Sequence, residues 1–142
     1  MIRLTMGPES TTDYINAMDA TDDLRNLVIA DWQQRGLDAL ILPAFACSPL
    51  PLGDARKATG ATFYSALLGI INFPAGTLPV TEVTHDDVIE TETSYPTTDL
   101  WHRTIKRGAV GTEGLSVNVQ VATLPWQEEL CLRVMTEIET LS

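Results

Sequence analysis

Few side chains in this sequence carry reactive groups: two lysines (Lys57, Lys106), two histidines (His85, His102), two cysteines (Cys47, Cys131) and scattered serines. Covalent hydrolysis needs a nucleophile held within reach of a base. Ser65 lies in an apolar run between Tyr64 and Ala66 with no base near it in sequence, and neither a G-x-S-x-G elbow nor an H-E-x-x-H pair occurs. A lysine serves as a base once desolvation lowers its pKa, and both lysines stand in polar contexts. His85-Asp86-Asp87 has metal-ligating types, yet three adjacent side chains of an acidic stretch rarely converge on one ion, so no metal is expected. His102 beside Trp101 reads as a surface or interfacial helix residue. The cysteines are far apart without C-x-x-C spacing and read as small buried hydrophobes of a reducing, intracellular compartment. Ala58-Thr59-Gly60-Ala61-Thr62 is a run of small residues that admits close approach by another helix or by a ligand. Thr59, Thr62 and Ala66 follow i, i+3, i+7 spacing and share one helical face.

The elements that position these groups follow from periodicity and punctuation. Leu24, Leu27, Val28 and Trp32 recur at helical spacing between Asp22 and a C-capping Gly36. Residues 1–20 are weakly patterned and read as a lead-in of weak order before a unit spanning 21–142. Leu37–Leu42 reads as a short buried strand stopped by Pro43, and prolines with Gly53 make 43–57 a loop. Thr59–Ile71 predicts a helix and Thr77–Val83 a strand in which Pro79 lacks a ladder donor. Six acids and no Lys or Arg over residues 82–99 predict a solvated loop, followed by a short helix over Leu100–Arg107. Leu115, Val117, Val119 and Val121 alternate with polar residues, the clearest strand signal in the chain. Pro125 opens the last helix, whose buried stripe is read as Leu130, Val134, Ile138 and Leu141. Helices alternating with strands predict an α/β fold with a short mixed sheet flanked by helices.

A length of 142 residues suits one domain. Apolar residues at 44% and charged residues at 20% exclude a disordered tail or a collagen-like repeat. The formal charge of −10 repels phosphate backbones, so no nucleic acid is expected as partner. Met1–Asp13 holds no apolar run of the secretory kind. The longest apolar-rich stretch, 61–74, falls short of the ~20 residues that span a bilayer. The chain reads as soluble.

Gly114-Leu115-Ser116-Val117-Asn118-Val119-Gln120-Val121, followed by Leu124-Pro125-Trp126-Gln127-Glu128-Glu129-Leu130-Cys131-Leu132-Arg133, resembles the C-terminal end of the amidase signature family. There a strand reading G-L-P-V-x-V-Q leads into a closing helix. Ser116 stands here for the family's usual proline and Asn118 for its glycine or alanine. With Ala58-Thr59-Gly60-Ala61 and the run Asn72–Thr81, the chain is most similar to the animal fatty acid amide hydrolases within that family, over roughly residues 20–142.

The resemblance implies a partial amidase-signature fold and, for the full-length parent, hydrolysis of a lipid amide through an acyl-serine intermediate without metal or organic cofactor. It implies that Thr59, Thr62 and Ala66 line an acyl-chain channel and that Trp101 lies near the channel wall leading to the membrane. The family's Ser-cis-Ser-Lys machinery and its membrane-binding parts are expected upstream of the part seen here. The chain itself is therefore expected to hold no catalytic residue and to contribute a channel wall and scaffold. The rival reading is a non-catalytic stand-alone scaffold or partner-binding domain derived from an amidase. The oligomeric state is left open.

Overall fold

The computed structural model describes residues 10–141; the first nine residues of the expected lead-in and most of Met1–Asp13 lie outside them. The chain opens with a long helix, α1 (Thr11–Arg35), which begins well before the expected Asp22. Ser10 provides the start: its Oγ accepts from the Asp13 N–H at 3.1 Å, and the Asp13 carboxylate lies in the first turn. Residues 11–20 of this helix are exposed throughout. Gly36 closes it as expected, at φ 64, donating to Gln33 and Trp32 carbonyls.

Three strands form one sheet in the order β1-β3-β2: β1 (Leu40–Pro43), β2 (Ala75–Glu82) and β3 (Ser116–Ala122). β3 is central and runs antiparallel to both neighbours, with Leu40↔Ala122 on one side and Ala75↔Ala122 on the other. The α/β reading holds, but the sheet is antiparallel rather than mixed. Helix–strand alternation carries no strand direction, and β3 inserts between β1 and β2 antiparallel to both. Pro79, which has no N–H to donate, sits at the register shift between Pro79 and Thr81.

The two sheet faces carry two cores. Ala122 packs with Trp32 of α1 and with Leu68, Ile71 and Phe73; the Trp32 and Phe73 rings meet edge-on at 5.8 Å. Val121 packs on the opposite face with Leu78 and Cys131. The last helix, α5 (Glu128–Leu141), covers that face. Its inward stripe is Cys131, Val134, Met135 and Ile138, whereas Leu141, expected to be buried, is 86% exposed at the helix end. The helix starts after Pro125 rather than at it, because Trp126 takes a left-handed turn (φ 69) first. Helix α5 lies over β2 and β3, so β1 is not the buried strand expected: Ile41 is 54% exposed.

Two further segments depart from expectation. The single helix expected over Thr59–Ile71 is a 3₁₀ helix (Ala55–Thr62) leading into α2 (Phe63–Ile70). The Phe63 N–H closes it on the Gly60 carbonyl. The expected acidic loop contains helix α3 (His85–Ser94). Its start is a capping box: Thr84 Oγ1 accepts from the Asp87 N–H, and the Asp87 carboxylate accepts from the Thr84 N–H at 2.8 Å. The count of acids hid that pair. Helix α4 (Leu100–Gly108) forms as expected, with Asp99 accepting from the His102 N–H at 2.7 Å.

Candidate functional site

The site begins with the way α4 docks on the 3₁₀ helix and the loop before it. Three contacts hold it there. A Cβ built on Gly108 would fall 2.5 Å from Leu50 Cδ2, so the glycine lets the Leu50 side chain lie against the α4 backbone. Arg107 Nη2 reaches Asp54 Oδ2 at 3.2 Å, while Lys57 Nζ holds the other carboxylate oxygen at 2.6 Å. The hydrogen bond from Lys57, with the added charge of Arg107, holds the Asp54 carboxyl below its ordinary range. At the other end of α4 the Trp101 indole lies on Gly60, where an added Cβ would be 3.2 Å from Cη2.

This docking brings Trp101 alongside the segment that carries Thr59 and Thr62. Trp101 is half-buried; Thr59, Thr62 and Ala66 are exposed. Thr62 Oγ1 donates to the Thr59 carbonyl at 2.6 Å. That bond satisfies the hydroxyl inside the 3₁₀ helix and leaves the Thr62 methyl as its free surface. Ala66 sits on α2, so the face expected of one regular helix is divided between two helix types.

No described residue assembles a hydrolytic centre. Ser65 Oγ donates to the Thr62 carbonyl at 3.3 Å. Lys57 is spent on Asp54, and Lys106 Nζ donates to the Tyr95 carbonyl at 3.4 Å. Thr98 Oγ1 meets His102 Nδ1 at 2.8 Å, and Asp99 Oδ1 approaches the same nitrogen at 3.3 Å. A base relay needs nucleophile and carboxylate on opposite ring nitrogens, and here both crowd one. His85 Nδ1 pairs with Glu113 Oε2 at 3.1 Å on the surface. Among the described residues no group of three or more His, Cys, Asp or Glu is placed to hold a metal ion. Cys131 is buried and donates from Sγ to the Val121 carbonyl, Cys47 is half-buried, and burial pushes both thiols up.

Sequence reasoning missed a cavity of about 840 Å³ between the loop after β1, the ends of β2 and β3, α3 and α4. Much of its wall comes from loop residues and from the unexpected helix α3, and the sequence carries no sign that these lie against the ends of β2, β3 and α4. Thr59, Thr62, Ala66 and Trp101 stand outside it. No helix among the described residues is long and apolar enough to cross a membrane.

Comparison with known proteins places the chain in a family. The chain is 42% identical over 119 residues to fatty-acid amide hydrolase 1 of Sus scrofa, covering 82% of this chain and 20% of the relative. It is 38% identical over 133 residues to fatty acid amide hydrolase 1 of Caenorhabditis elegans, covering 91% of this chain and 23% of the relative. The chain thus spans about a fifth of the length of these curated relatives. The Amidase family model matches residues 2–132, and the chain belongs to the amidase family.

Proposed function

We propose that this chain supplies part of the acyl-binding wall and the sheet-and-helix scaffold of an amidase acting on fatty acid amides. Thr59, Thr62, Ala66 and Trp101 face the acyl chain, and the nucleophile and base come from outside residues 1–142. The names of the pig and nematode relatives support the substrate class. The observation that carries the site is the seating of Trp101 on Gly60, beside the exposed Thr59 and Thr62, of which the Thr62 hydroxyl is already satisfied. Such a face borders an alkyl chain without clash or unpaired polar atoms. Each buried CH₂ contributes ~0.8 kcal/mol.

The test is a chimera in which this chain replaces the aligned segment of the pig enzyme. Thr62→Trp fills the space beside the acyl chain. The kcat/KM for an 18-carbon amide is expected to fall by about tenfold or more, equivalent to the loss of about two buried CH₂ groups. A four-carbon amide should change by less than about twofold, since it never reaches that far. Equal loss for both lengths, or none for either, overturns the reading.

A further inference from the structure

The cavity beside α3 has the size of small-molecule sites, which run from about 300 to 1,000 Å³. Its inner surface is mainly apolar: Val83, Ile105 and Ala109 are buried, Val88 and Phe45 are half-buried beside them, and the buried Thr112 has its hydroxyl bonded to the Ala109 carbonyl. Its charged lining has one sign only. Glu82 and Asp87 are its acidic lining residues, and among the described residues no Lys, Arg or His lines it. Asp87 accepts from the Thr84 N–H and hydroxyl at 2.8 and 2.6 Å, and these bonds favour its ionised form. Glu82 has no ion-pair or hydrogen-bond partner among the described residues. The chain around them carries a formal charge of −10.

We infer that this cavity is a binding site for a protonated alkyl amine, its ammonium at Glu82 and its chain against Val83, Ile105 and Ala109. An alcohol of the same length shares the apolar contacts but lacks the charge. A carboxylate meets two like charges. The site shares no residue with the proposed acyl-binding face, so either assignment can fail without the other.

The experiment follows the amide NMR signals of the isotope-labelled 142-residue chain at pH 7 during titration with octylamine, octan-1-ol or octanoate. Octylamine is expected to shift Val83, Ile105 and Ala109 with a Kd about tenfold or more below that of octan-1-ol. Octanoate should shift none of them. Glu82→Gln, at an exposed position, should bring the amine to the affinity of the alcohol. Ala46→Trp, also at an exposed lining position, should fill the cavity and abolish both. Equal affinity for amine and alcohol overturns the inference. So do amine shifts spread over surface carboxylates, or binding that survives Glu82→Gln or Ala46→Trp unchanged.

Discussion

The Trp101 indole rests on Gly60 so closely that any side chain there would meet the ring: an added Cβ falls 3.2 Å from Cη2 and 3.3 Å from Cζ3. Gly60 has no left-handed backbone requirement, so what it contributes is the space beneath the ring.

Substitution at Gly60 therefore acts through Trp101. Gly60→Ala needs a shift of only a few tenths of an ångström and should leave the fold intact. Gly60→Val should lift the half-buried indole off the 3₁₀ helix, shift its fluorescence to the red and cost about 1–3 kcal/mol. Emission spectra and urea unfolding, recorded in a Trp126→Phe background, check this. Wild-type emission in Gly60→Val would contradict the packing.

The capping box of α3 predicts a particular acid response. Thr84→Ala should cost about 1 kcal/mol at pH 7. The bonds from Thr84 hold the folded pKa of Asp87 below its unfolded value near ~3.9. The stability it contributes is thus complete above that unfolded value and lost as pH falls through the folded one. Asp54, lowered chiefly by its bond to Lys57, follows the same sign. Urea unfolding between pH 2 and 7 should show the Thr84→Ala penalty shrinking in acid and a shallower acid limb in Asp87→Asn.

Much of the fold was legible because apolar periodicity marks elements that bury one face. β3 alternates, and Val121 and Ala122 do point to two separate cores. Helix α3 escaped because its signal is the local Thr84–Asp87 reciprocity, set among acids that read as a solvated loop. Helix α1 was read short because residues 11–20 are exposed and have no apolar stripe to show; only Ser10 marks the start. The shared spacing of Thr59, Thr62 and Ala66 was visible, but the change from 3₁₀ to α helix between them was not. Spacing could not place Trp101 against Gly60 either, since that contact joins residues on separate helices.

The core around Trp32 holds a buried indole N–H with no hydrogen-bond partner among the described residues. Such a donor costs about 1–3 kcal/mol. Trp32→Phe removes it while keeping an aromatic ring against Phe73, and should cost less than about 1.5 kcal/mol. Trp32→Ala opens a cavity and should cost about 3–5 kcal/mol. Urea denaturation of both variants decides the point. A Trp32→Phe penalty well above about 1.5 kcal/mol would show that removing the N–H brings no relief.

Labelling with a fluorophosphonate serine probe tests most directly whether the reacting groups come from outside residues 1–142. Turnover needs a nucleophile, a base and oxyanion donors converging on one site, and Ser65 donates to the Thr62 carbonyl with no base bonded to it among the described residues. The 142-residue chain alone should take no label and hydrolyse no fatty acid amide. The chimera with the pig enzyme should hydrolyse the amide and take the label, with the modified peptide mapping to the pig-derived portion. A labelled serine within residues 1–142, tied to turnover and lost on its replacement by alanine, would contradict this assignment.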